Sequence, residues 1–312
     1  MARIRTSFSL ALFLCAGCVA TQTDDAQHWQ SPLYADHPLV GMIWDSGQEK
    51  FMSTDDLFSQ LEGVSYLLLG EKHDNPDHHA LQLRVLDYVL SSQSVSNVSF
   101  EMMSSEQQPL LAGLPTLRDR SLVDINGYLE WDNDGWDWDY YGPLVRSVLQ
   151  AGVAINAANI SREEMMQVYG QPTAREIADV LDEQTMAALE KDIDESHCGM
   201  LPESQFPAMV RVQQARDFAM AKSLSSSSTQ TQVLIAGNYH IRRDLGVPNY
   251  ILHATPSLNA GQIVSLAFME VSENSTVPAD YLQQFSSEKA YDYIWFTPAI
   301  SDEDYCASLS QQ

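Results

Sequence analysis

Basic residues are scarce in this sequence. Its 17 lysines and arginines face 42 aspartates and glutamates over 312 residues, which gives a formal net charge of -25. Because proteins that bind nucleic acids neutralise phosphates with lysine and arginine, this deficit excludes a nucleic-acid partner. It equally excludes a polybasic segment that attaches to anionic lipids. The acidic surplus concerns solubility and does not indicate a fold.

Cysteine is scarce as well, with four residues, and the spacing C-x-x-C-H is absent. Covalent attachment of a c-type cofactor is therefore excluded. The sequence also lacks a repeat of the kind that builds solenoids. Hydrophobic residues, by contrast, make up 45% of the chain. That is ample for the core of one large domain or two small ones.

A motif of apolar strand, glycine and histidine occurs twice. Residues 67–73 and residues 234–240 each contain an apolar run and a glycine, and His73 and His240 each follow that glycine by three positions. Strands that end in glycine and open into a polar loop line the sites of open α/β sheets. We therefore expect both imidazoles in one cleft, where a metal, a cofactor or acid–base chemistry would use them.

Strand-like and helix-like stretches alternate along the chain, which predicts an α/β fold with a mainly parallel sheet flanked by helices. The helical stretch from about 104 to 226 is interrupted by one strand and predicts an inserted helical subdomain. Strands are predicted at 39–44, 64–69, 98–102, 153–158, 232–236, 263–271 and 291–296, and helices from 54 and at 80–90, 143–150 and 207–224.

Four candidate site residues lie at predicted carboxyl ends of strands: Glu71, His73, Glu101 and His240. Two imidazoles with one or two carboxylates can bind a divalent metal and leave coordination positions open. A remaining carboxylate would then act as a general base. Alternatively, these side chains hydrogen-bond to one another and tie the strand ends together. For the two histidines that begin the next helix, positions 78 and 79, a solvated or capping role is predicted, with the alternative that one of them faces the cleft.

Three further features are candidates for ligand binding. His197 and Met200 lie between two predicted helices and belong to the residue types that ligate haem iron, although the segment also reads as a turn held by Cys198. Aromatic residues at 131–141 form either a flat ligand platform or a loop pinned to the core. Arg242 follows the second motif, and arginine pairs bidentately with carboxylates such as propionates.

The N-terminus resembles a bacterial lipoprotein signal. Two arginines precede a short apolar stretch that ends in Leu14-Cys15-Ala16-Gly17-Cys18. The resemblance implies that residues 1–18 are a signal peptide with a lipobox and that Cys18 carries the lipid. The residue after Cys18 is Val19, not aspartate, so we expect the outer membrane, facing the periplasm. Residues 19–37 then form a tether, and residues 38–312 form a single domain.

Lipidation of Cys18 and removal of Cys15 would leave two cysteines, Cys198 and Cys306. An even pair in an oxidising compartment predicts a disulfide. The alternative is that Cys198, beside His197, is itself a ligand.

Several blocks of the chain resemble the ChaN-like haem-binding lipoproteins, in the same order and over about residues 67–248. These blocks are residues 69–76 with 78–79, 100–103 with 107–108, 136–144 with 157–160, 197–199 with 213–217 and 220–221, and 236–242 with 246–248. The wider superfamily includes the TraB, Tiki and erythromycin-esterase-like proteins. Tiki members have similar paired G-x-x-H motifs and act as metal-dependent proteases.

The resemblance implies a haem-binding outer-membrane lipoprotein for haem or iron uptake or storage. Candidate haem-binding residues are His197, Met200, Tyr239, His240 and Arg242, with no motif fixing the axial ligand. The partners implied are haem, the membrane through the lipid anchor, an outer-membrane haem receptor and a second copy of the chain. The alternative is a metal-dependent hydrolase, with His73, His240 and Glu71 on a divalent metal and Glu101 completing the catalytic set.

Overall fold

The computed structural model describes residues 28–224, 230–283, 289–303 and residue 306. The strands of this part of the chain form one eight-stranded sheet. They are β1 (Ile43–Asp45), β2 (Lys50–Met52), β3 (Tyr66–Leu69), β4 (Val95–Ser104), β5 (Ala154–Asn159), β6 (Thr231–Ile235), β7 (Ile263–Glu270) and β8 (Tyr293–Thr297).

The strand order in the sheet is β2-β1-β8-β7-β3-β6-β4-β5. From β8 to β5 all neighbouring strands are parallel, and β1 pairs antiparallel with β2 and β8. The predicted α/β fold with a mainly parallel sheet is therefore confirmed. Because β3, β6 and β4 are adjacent and parallel, the ends that carry both repeated motifs and Glu101 meet at one edge of the sheet.

Eleven α-helices occur within the described ranges, joined by three short 3-10 turns at Leu114–Leu117, Glu203–Gln205 and Ala260–Gln262. The helices are α1 (Thr54–Leu61), α2 (Pro76–Ser92), α3 (Gln108–Leu111), α4 (Leu122–Tyr128), α5 (Trp138–Ala151), α6 (Arg162–Gly170), α7 (Arg175–Ala178), α8 (Glu183–Ser196), α9 (Phe206–Ser223), α10 (Val247–Ala254) and α11 (Asp280–Gln283).

Local sequence signals set most helix ends. The side chain of Asn75 accepts hydrogen bonds from two amides of the first turn of α2, and Pro76 occupies a position whose amide needs no partner. α5 ends at Gly152, whose φ of 71° lies in the left-handed region that favours glycine. It begins five residues earlier than predicted because Asp137 caps it there, so Pro143 lies inside the helix.

The two faces of the sheet carry separate hydrophobic cores. Leu67 and Leu69 of β3 pack into one core, and Leu68 packs into the other, as the alternation of side chains along a strand requires. The first core also contains residues of α1, α2, α4 and α5, and the second contains residues of α8, α9 and α10. The fold is therefore a three-layer arrangement with the sheet in the middle.

The helical stretch predicted at about 104–226 contains α3 to α9 and is interrupted by β5 alone. α5 packs beside α2 on the first face of the sheet, and α9 packs on β5 and α10 on the second. These helices thus complete the two outer layers and bring α8 and α9 to the sheet edge where the motifs meet.

The segment before β1 is packed onto the domain from about residue 30. The amides of Gln30 and Ser31 donate to the carboxylate of Asp77 at 2.9 Å each, and Leu33 forms a β-bridge with Ala299. The predicted tether up to residue 37 is therefore too long. The predicted signal peptide, with Cys18, lies outside the described residues. Among those residues, no helix is both long enough and apolar enough to cross a membrane.

Gly246 precedes α10 at a point where the backbone folds back on itself. A Cβ at this position would lie 2.2 Å from the carbonyl oxygen of His240 and 2.9 Å from that of Arg242. Because backbone atoms cannot move aside cheaply, we expect Gly246→Ala to lower the free energy of unfolding by about 1–3 kcal/mol. Urea titration of the variant measures this loss.

Gly127→Ala is the matched control, because nothing lies within 4 Å of a Cβ at that helical position. This substitution should leave the stability unchanged or raise it by up to about 1 kcal/mol. Equal stability of the Gly246→Ala protein and the wild type would contradict the close approach.

Candidate functional site

A cleft of about 880 Å³ lies at the sheet edge formed by the carboxyl ends of β3, β6 and β4. This volume is typical of small-molecule sites. Helices α8 and α9, the loops after β3 and β6, and the last residues of β7 wall the cleft. It is lined by Glu71, Lys72, His73, His78, Glu101, Trp136, Asp192, Ile193, Ser196, His197, Met209, Val212, Gln213, Arg216, Gly237, Asn238, Tyr239, His240, Met269, Glu270 and Tyr291.

Glu71 and His73 form a hydrogen-bonded pair after β3. His73 Nδ1 lies 2.5 Å from Glu71 Oε1, and the phenol of Tyr141 donates to the same oxygen at 3.1 Å. Glu71 is 2% exposed, and its Oε2 has no hydrogen-bond partner within the described structure. Burial lowers the pKa of His73, but the adjacent Glu71 carboxylate outweighs burial and raises it above its ordinary value.

A second, more deeply buried group joins the other motif to Glu101. His240 lies between two carboxylates, with Nδ1 2.6 Å from Asp217 and Nε2 3.2 Å from Glu101. Arg216 donates to the same Glu101 oxygen at 2.8 Å, and the Gly237 amide donates to the other at 2.8 Å. These side chains therefore form one ionic network across the ends of β4 and β6.

The charges within this network shift the pKa values of its members. Burial lowers the pKa of His240, but Glu101 and Asp217 together overcome burial and raise it to about 9. Burial raises the pKa of Glu101, yet His240 and Arg216 hold it well below the usual range. Burial raises the pKa of Asp217, although His240 opposes this. His240 is thus an imidazolium at neutral pH, with both nitrogens engaged.

The raised pKa of His240 predicts a loss of stability at alkaline pH. A group whose folded-state pKa is raised stabilises the fold fully below its unfolded-state pKa, and this stabilisation disappears as the pH passes through the folded value. The shift from 6.5 to about 9 corresponds to about 3 kcal/mol. We therefore expect the free energy of unfolding to fall between pH 6.5 and 9, as measured by urea titration across that window.

His240→Gln removes the titrating group and serves as the comparison. Its unfolding free energy should vary less than that of the wild type over the same pH range. The same slope in both proteins would show that another group causes the alkaline loss.

His78 and His79 are buried, at 0% and 3% exposure, so the predicted solvated or capping role is wrong. His78 accepts from the Lys72 amide at 2.8 Å and contacts the Thr297 hydroxyl at 2.9 Å. His79 bonds to the carbonyl of His73 at 3.1 Å. Burial lowers the pKa of both imidazoles, and they position the loop after β3 as neutral groups.

Arg242 does not line the cleft. It is 1% exposed and binds Asp244 through two nitrogens, at 2.9 and 2.7 Å, and Asp192 at 2.6 Å. The prediction that Arg242 holds a ligand carboxylate is therefore wrong, because its guanidinium is occupied by protein carboxylates. Its guanidinium also packs against the ring of Tyr239, 5.0 Å from the centroid.

Tyr239 and His197 face the cleft from neighbouring elements. The Tyr239 phenol lies 3.4 Å from Asp192 of α8, and His197 directly follows α8. His197 Nδ1 donates to the Ile193 carbonyl at 2.7 Å, so Nε2 is the ring nitrogen left to meet a ligand. Burial and then Asp192 raise the pKa of Tyr239.

Met200 and Cys198 do not contribute side chains to the cleft. Met200 is 53% exposed and absent from the lining, so its predicted role as an iron ligand does not fit this cleft. Cys198 is joined to Cys306 by a disulfide across 108 residues. A disulfide sulfur has no thiolate to offer a metal, which removes the alternative of Cys198 as a ligand.

The described residues contain no group of three or more histidine, cysteine, aspartate or glutamate side chains arranged to hold a metal ion. The predicted metal set of His73, His240 and Glu71 is therefore not assembled. Its donors point at one another: Glu71 is bonded to His73, and both nitrogens of His240 are bonded to carboxylates. The alternative reading, that polar side chains tie the strand ends together, describes much of this geometry.

The aromatic segment at 131–141 is mostly core. Trp131, Trp138 and Tyr141 are each less than 10% exposed, which agrees with a loop pinned to the core. Trp136 is the exception, because it lines the cleft and meets His73 edge-on at a centroid distance of 4.7 Å.

Two acidic residues of the site are not among the candidates predicted from the sequence. Asp217 lies one residue after Arg216 on α9 and four after Gln213, which also contacts His240, at 3.1 Å. The i, i+4 spacing of Gln213 and Asp217 places both side chains on one face of α9, and this pattern could have identified Asp217 from the sequence. Asp192 carried no signal, because only tertiary packing brings α8 beside Tyr239.

The chain is similar to one protein family and to several solved structures. A family model described as haem-binding uptake, Tiki superfamily, ChaN matches residues 57–251. The structure of ChaN from Campylobacter jejuni, with cofacial haem binding, is 26% identical and covers 81% of this chain and 95% of that chain, with a TM-score of 0.66. No curated protein sequence gives a significant match.

Two more distant structures share parts of the fold. The effector domain RRSP of a Vibrio vulnificus MARTX toxin is 14% identical and covers 70% of this chain and 36% of that chain, with a TM-score of 0.42. A mutant of the erythromycin esterase EreC in its open conformation is 11% identical and covers 85% and 99%, with a TM-score of 0.43. Similarity at this level says nothing about function.

Proposed function

The chain belongs to the family described as haem-binding uptake, Tiki superfamily, ChaN, and from this premise we propose that it binds haem in the cleft at the sheet edge. The observation that carries the proposal is the cleft itself. About 880 Å³ of space is bordered by apolar side chains such as Met209 and Val212 and by two side chains that can ligate iron, His197 and Tyr239.

The donors in this wall fit a haem iron. His197 lines the cleft, and with Nδ1 bonded to the Ile193 carbonyl its Nε2 is the nitrogen that would bind iron. Tyr239 would bind ferric iron as a phenolate. The proposal leaves out His240, a predicted ligand, because Glu101 and Asp217 engage both of its nitrogens.

The remaining requirements of haem are apolar contact and cations for the propionates. Trp136, Met209 and Val212 supply apolar surface along the cleft. Lys72 and Arg216 are the lysine and arginine among the described lining residues, with side chains 42% and 28% exposed. They take the role of propionate partner that was predicted for Arg242. Bound haem would supply the iron that the protein stores or hands on.

We further propose that the protein works at the outer membrane, facing the periplasm, anchored by a lipid on Cys18. The lipoprotein signal in residues 1–18 supports this location. An outer-membrane haem receptor is the proposed source of the haem, and a homodimer is the proposed assembly.

Removing the iron ligand should change haem binding in a way that identifies it. If His197 is the iron ligand, we expect His197→Ala to weaken haemin affinity by about tenfold or more. If Tyr239 is the ligand, we expect Tyr239→Phe to have this effect. Absorbance titration measures the affinity, and the Soret and visible bands distinguish tyrosinate from histidine ligation. The other of the two variants should retain the wild-type spectrum.

Met200→Ala is the matched control, because Met200 is an exposed residue of the same segment that does not reach the cleft. It should bind haemin as the wild type does. Wild-type spectra and affinities for both His197→Ala and Tyr239→Phe would place the iron ligand elsewhere.

A further inference from the structure

The connection between α8 and α9 is loosely attached to the rest of the domain. We call residues 194–205, which comprise the last turn of α8 and the loop and 3-10 turn that follow it, the strap. None of these residues is buried, although Ile193 before them and Ala208 after them are. Within the described part of the chain, their hydrogen bonds and ion pairs reach only the adjoining turns of α8 and α9. A segment with so few buried contacts opens easily.

An apolar contact and a disulfide attach the strap to the domain. Leu201 is half-buried and packs against the second core. Cys198 is joined to Cys306 across 108 residues. The C-terminal segment that leads to Cys306 is itself fixed to the sheet, because the Ile300 amide donates to Glu270 of β7 at 2.9 Å. The disulfide therefore cross-links the strap to a segment that is held in place.

The strap also forms part of the wall of the cleft. Its residues Ser196 and His197 line the cleft, and the ring of His197 is oriented by its hydrogen bond to the Ile193 carbonyl. α8 is fixed just before the strap, because Asp192 binds the buried Arg242 at 2.6 Å. Movement of the strap would therefore displace His197 while the rest of α8 stays in place.

The disulfide is accessible to a thiol reagent. Cys306 is exposed and Cys198 is half-buried. The φ of Cys198 is 60°, in the left-handed region that residues other than glycine rarely adopt. Such a conformation persists only where the surrounding structure holds it. Breaking the bond would therefore release Cys198 from this conformation and allow the strap to move.

We propose that the Cys198–Cys306 disulfide is a thiol–disulfide exchange site that controls how tightly the cleft retains haem. The inference rests on the proposed haem-binding function. With the bond formed, the strap holds Ser196 and His197 against the bound haem. With the bond reduced, the strap is loose in the haem-free protein, and haem must order it on binding. This ordering lowers the affinity.

The reductant is a dithiol, such as the cysteine pair of an oxidoreductase. One of its thiolates attacks Cys306 Sγ, the S–S bond breaks, and Cys198 leaves as a thiolate that takes a proton. The second thiolate of the dithiol attacks the mixed disulfide and releases Cys306, which also takes a proton. The dithiol is thereby oxidised to a disulfide, and the protein is reduced by two electrons.

The first test treats haem-free, full-length protein in detergent with dithiothreitol and no denaturant. Alkylation and mass spectrometry should find Cys198 and Cys306 as thiols while the far-UV circular dichroism remains that of the folded protein. Endoproteinase Glu-C should then cut first after Glu195 or Glu203, at least about tenfold faster than in the oxidised protein. Unfolding on reduction, a first cut outside the strap, or equal cleavage rates would overturn the proposal.

Haemin titration measures the effect of the bond on haem binding. The double variant Cys198→Ser/Cys306→Ser cannot form the bond and leaves no thiol in the strap to bind iron. It should bind haemin at least about tenfold more weakly than the oxidised wild type. Equal affinities would overturn the inference and leave the proposed haem binding intact, whereas a wild type that binds no haemin would overturn both.

Leu86→Ala is the matched control for a general loss of stability. Leu86 is fully buried in the first core, on the other face of the sheet, so its truncation destabilises the fold without contacting the strap. The folded variant should bind haemin as the wild type does. An equal loss of affinity in Leu86→Ala and the double variant would overturn the proposal, because lower stability alone would then explain it.

Discussion

Replacing Arg242 with methionine should lower the free energy of unfolding by about 3–5 kcal/mol. Arg242 is 1% exposed and holds two carboxylates, Asp244 and Asp192, in hydrogen bonds of 2.6 to 2.9 Å. Methionine fills much of the space but leaves both carboxylates without their cation. Because the cost of an uncompensated buried charge exceeds that of most substitutions, the effect should be among the largest in this protein.

Urea unfolding of Arg242→Met measures this loss, and Arg175→Met is the matched control. Arg175 is exposed on α7, so its replacement should change stability by no more than about 0.5 kcal/mol. The folded fraction of Arg242→Met should bind haemin with about wild-type affinity, because Arg242 does not line the cleft. Unchanged stability with weakened haem binding would restore its predicted role as a propionate partner.

Removing the disulfide should have an effect of similar size. Cys198 and Cys306 close a loop of 108 residues, and the chain-entropy model gives about 4–5 kcal/mol for a loop of that length. We therefore expect Cys198→Ser to lower the free energy of unfolding by this amount under oxidising conditions. Urea titration without reductant measures it, and the same experiment with reductant should erase the difference from the wild type.

Cys306→Ser and the double variant test whether the loss of stability is caused by breaking the disulfide bond. All three variants should have the same stability, because each breaks the same bond. In the unreduced chain lacking Cys15 and Cys18, thiol titration should find no reactive cysteine. Two reactive thiols, or full stability of Cys198→Ser, would contradict the bond.

The sequence predicted the elements with strong local signals. β3 and β6 end in the repeated motif, Asn75 and Pro76 mark the start of α2, and Gly152 ends α5. The structure shows that the two motifs end adjacent parallel strands, and His73 and His240 line one cleft, as expected from the pattern. The resemblance to ChaN-like proteins, carried by short ordered blocks, agrees with the family match.

The partners of the site residues depend on tertiary packing and were not predictable. Arg242 and His240 look like ligand-binding residues in the sequence, yet helices α8 and α9 bring Asp192 and Asp217 against them. The hydrogen-bond partner of a histidine at a strand end depends on which side chains the neighbouring helices bring next to it. Met200 lacks a position in the cleft because the turn around Cys198 directs it to solvent.

The measurement that tests the central claim most directly is a haemin titration of the haem-free protein, followed by absorbance. Binding in the cleft between α8, α9 and the sheet edge predicts a saturable Soret shift in the wild type. It also predicts that the double variant His197→Ala/Tyr239→Phe loses this shift while keeping its fold. An absorbance change that grows without saturation in the wild type, or a shift of equal size and affinity in the double variant, would contradict the account.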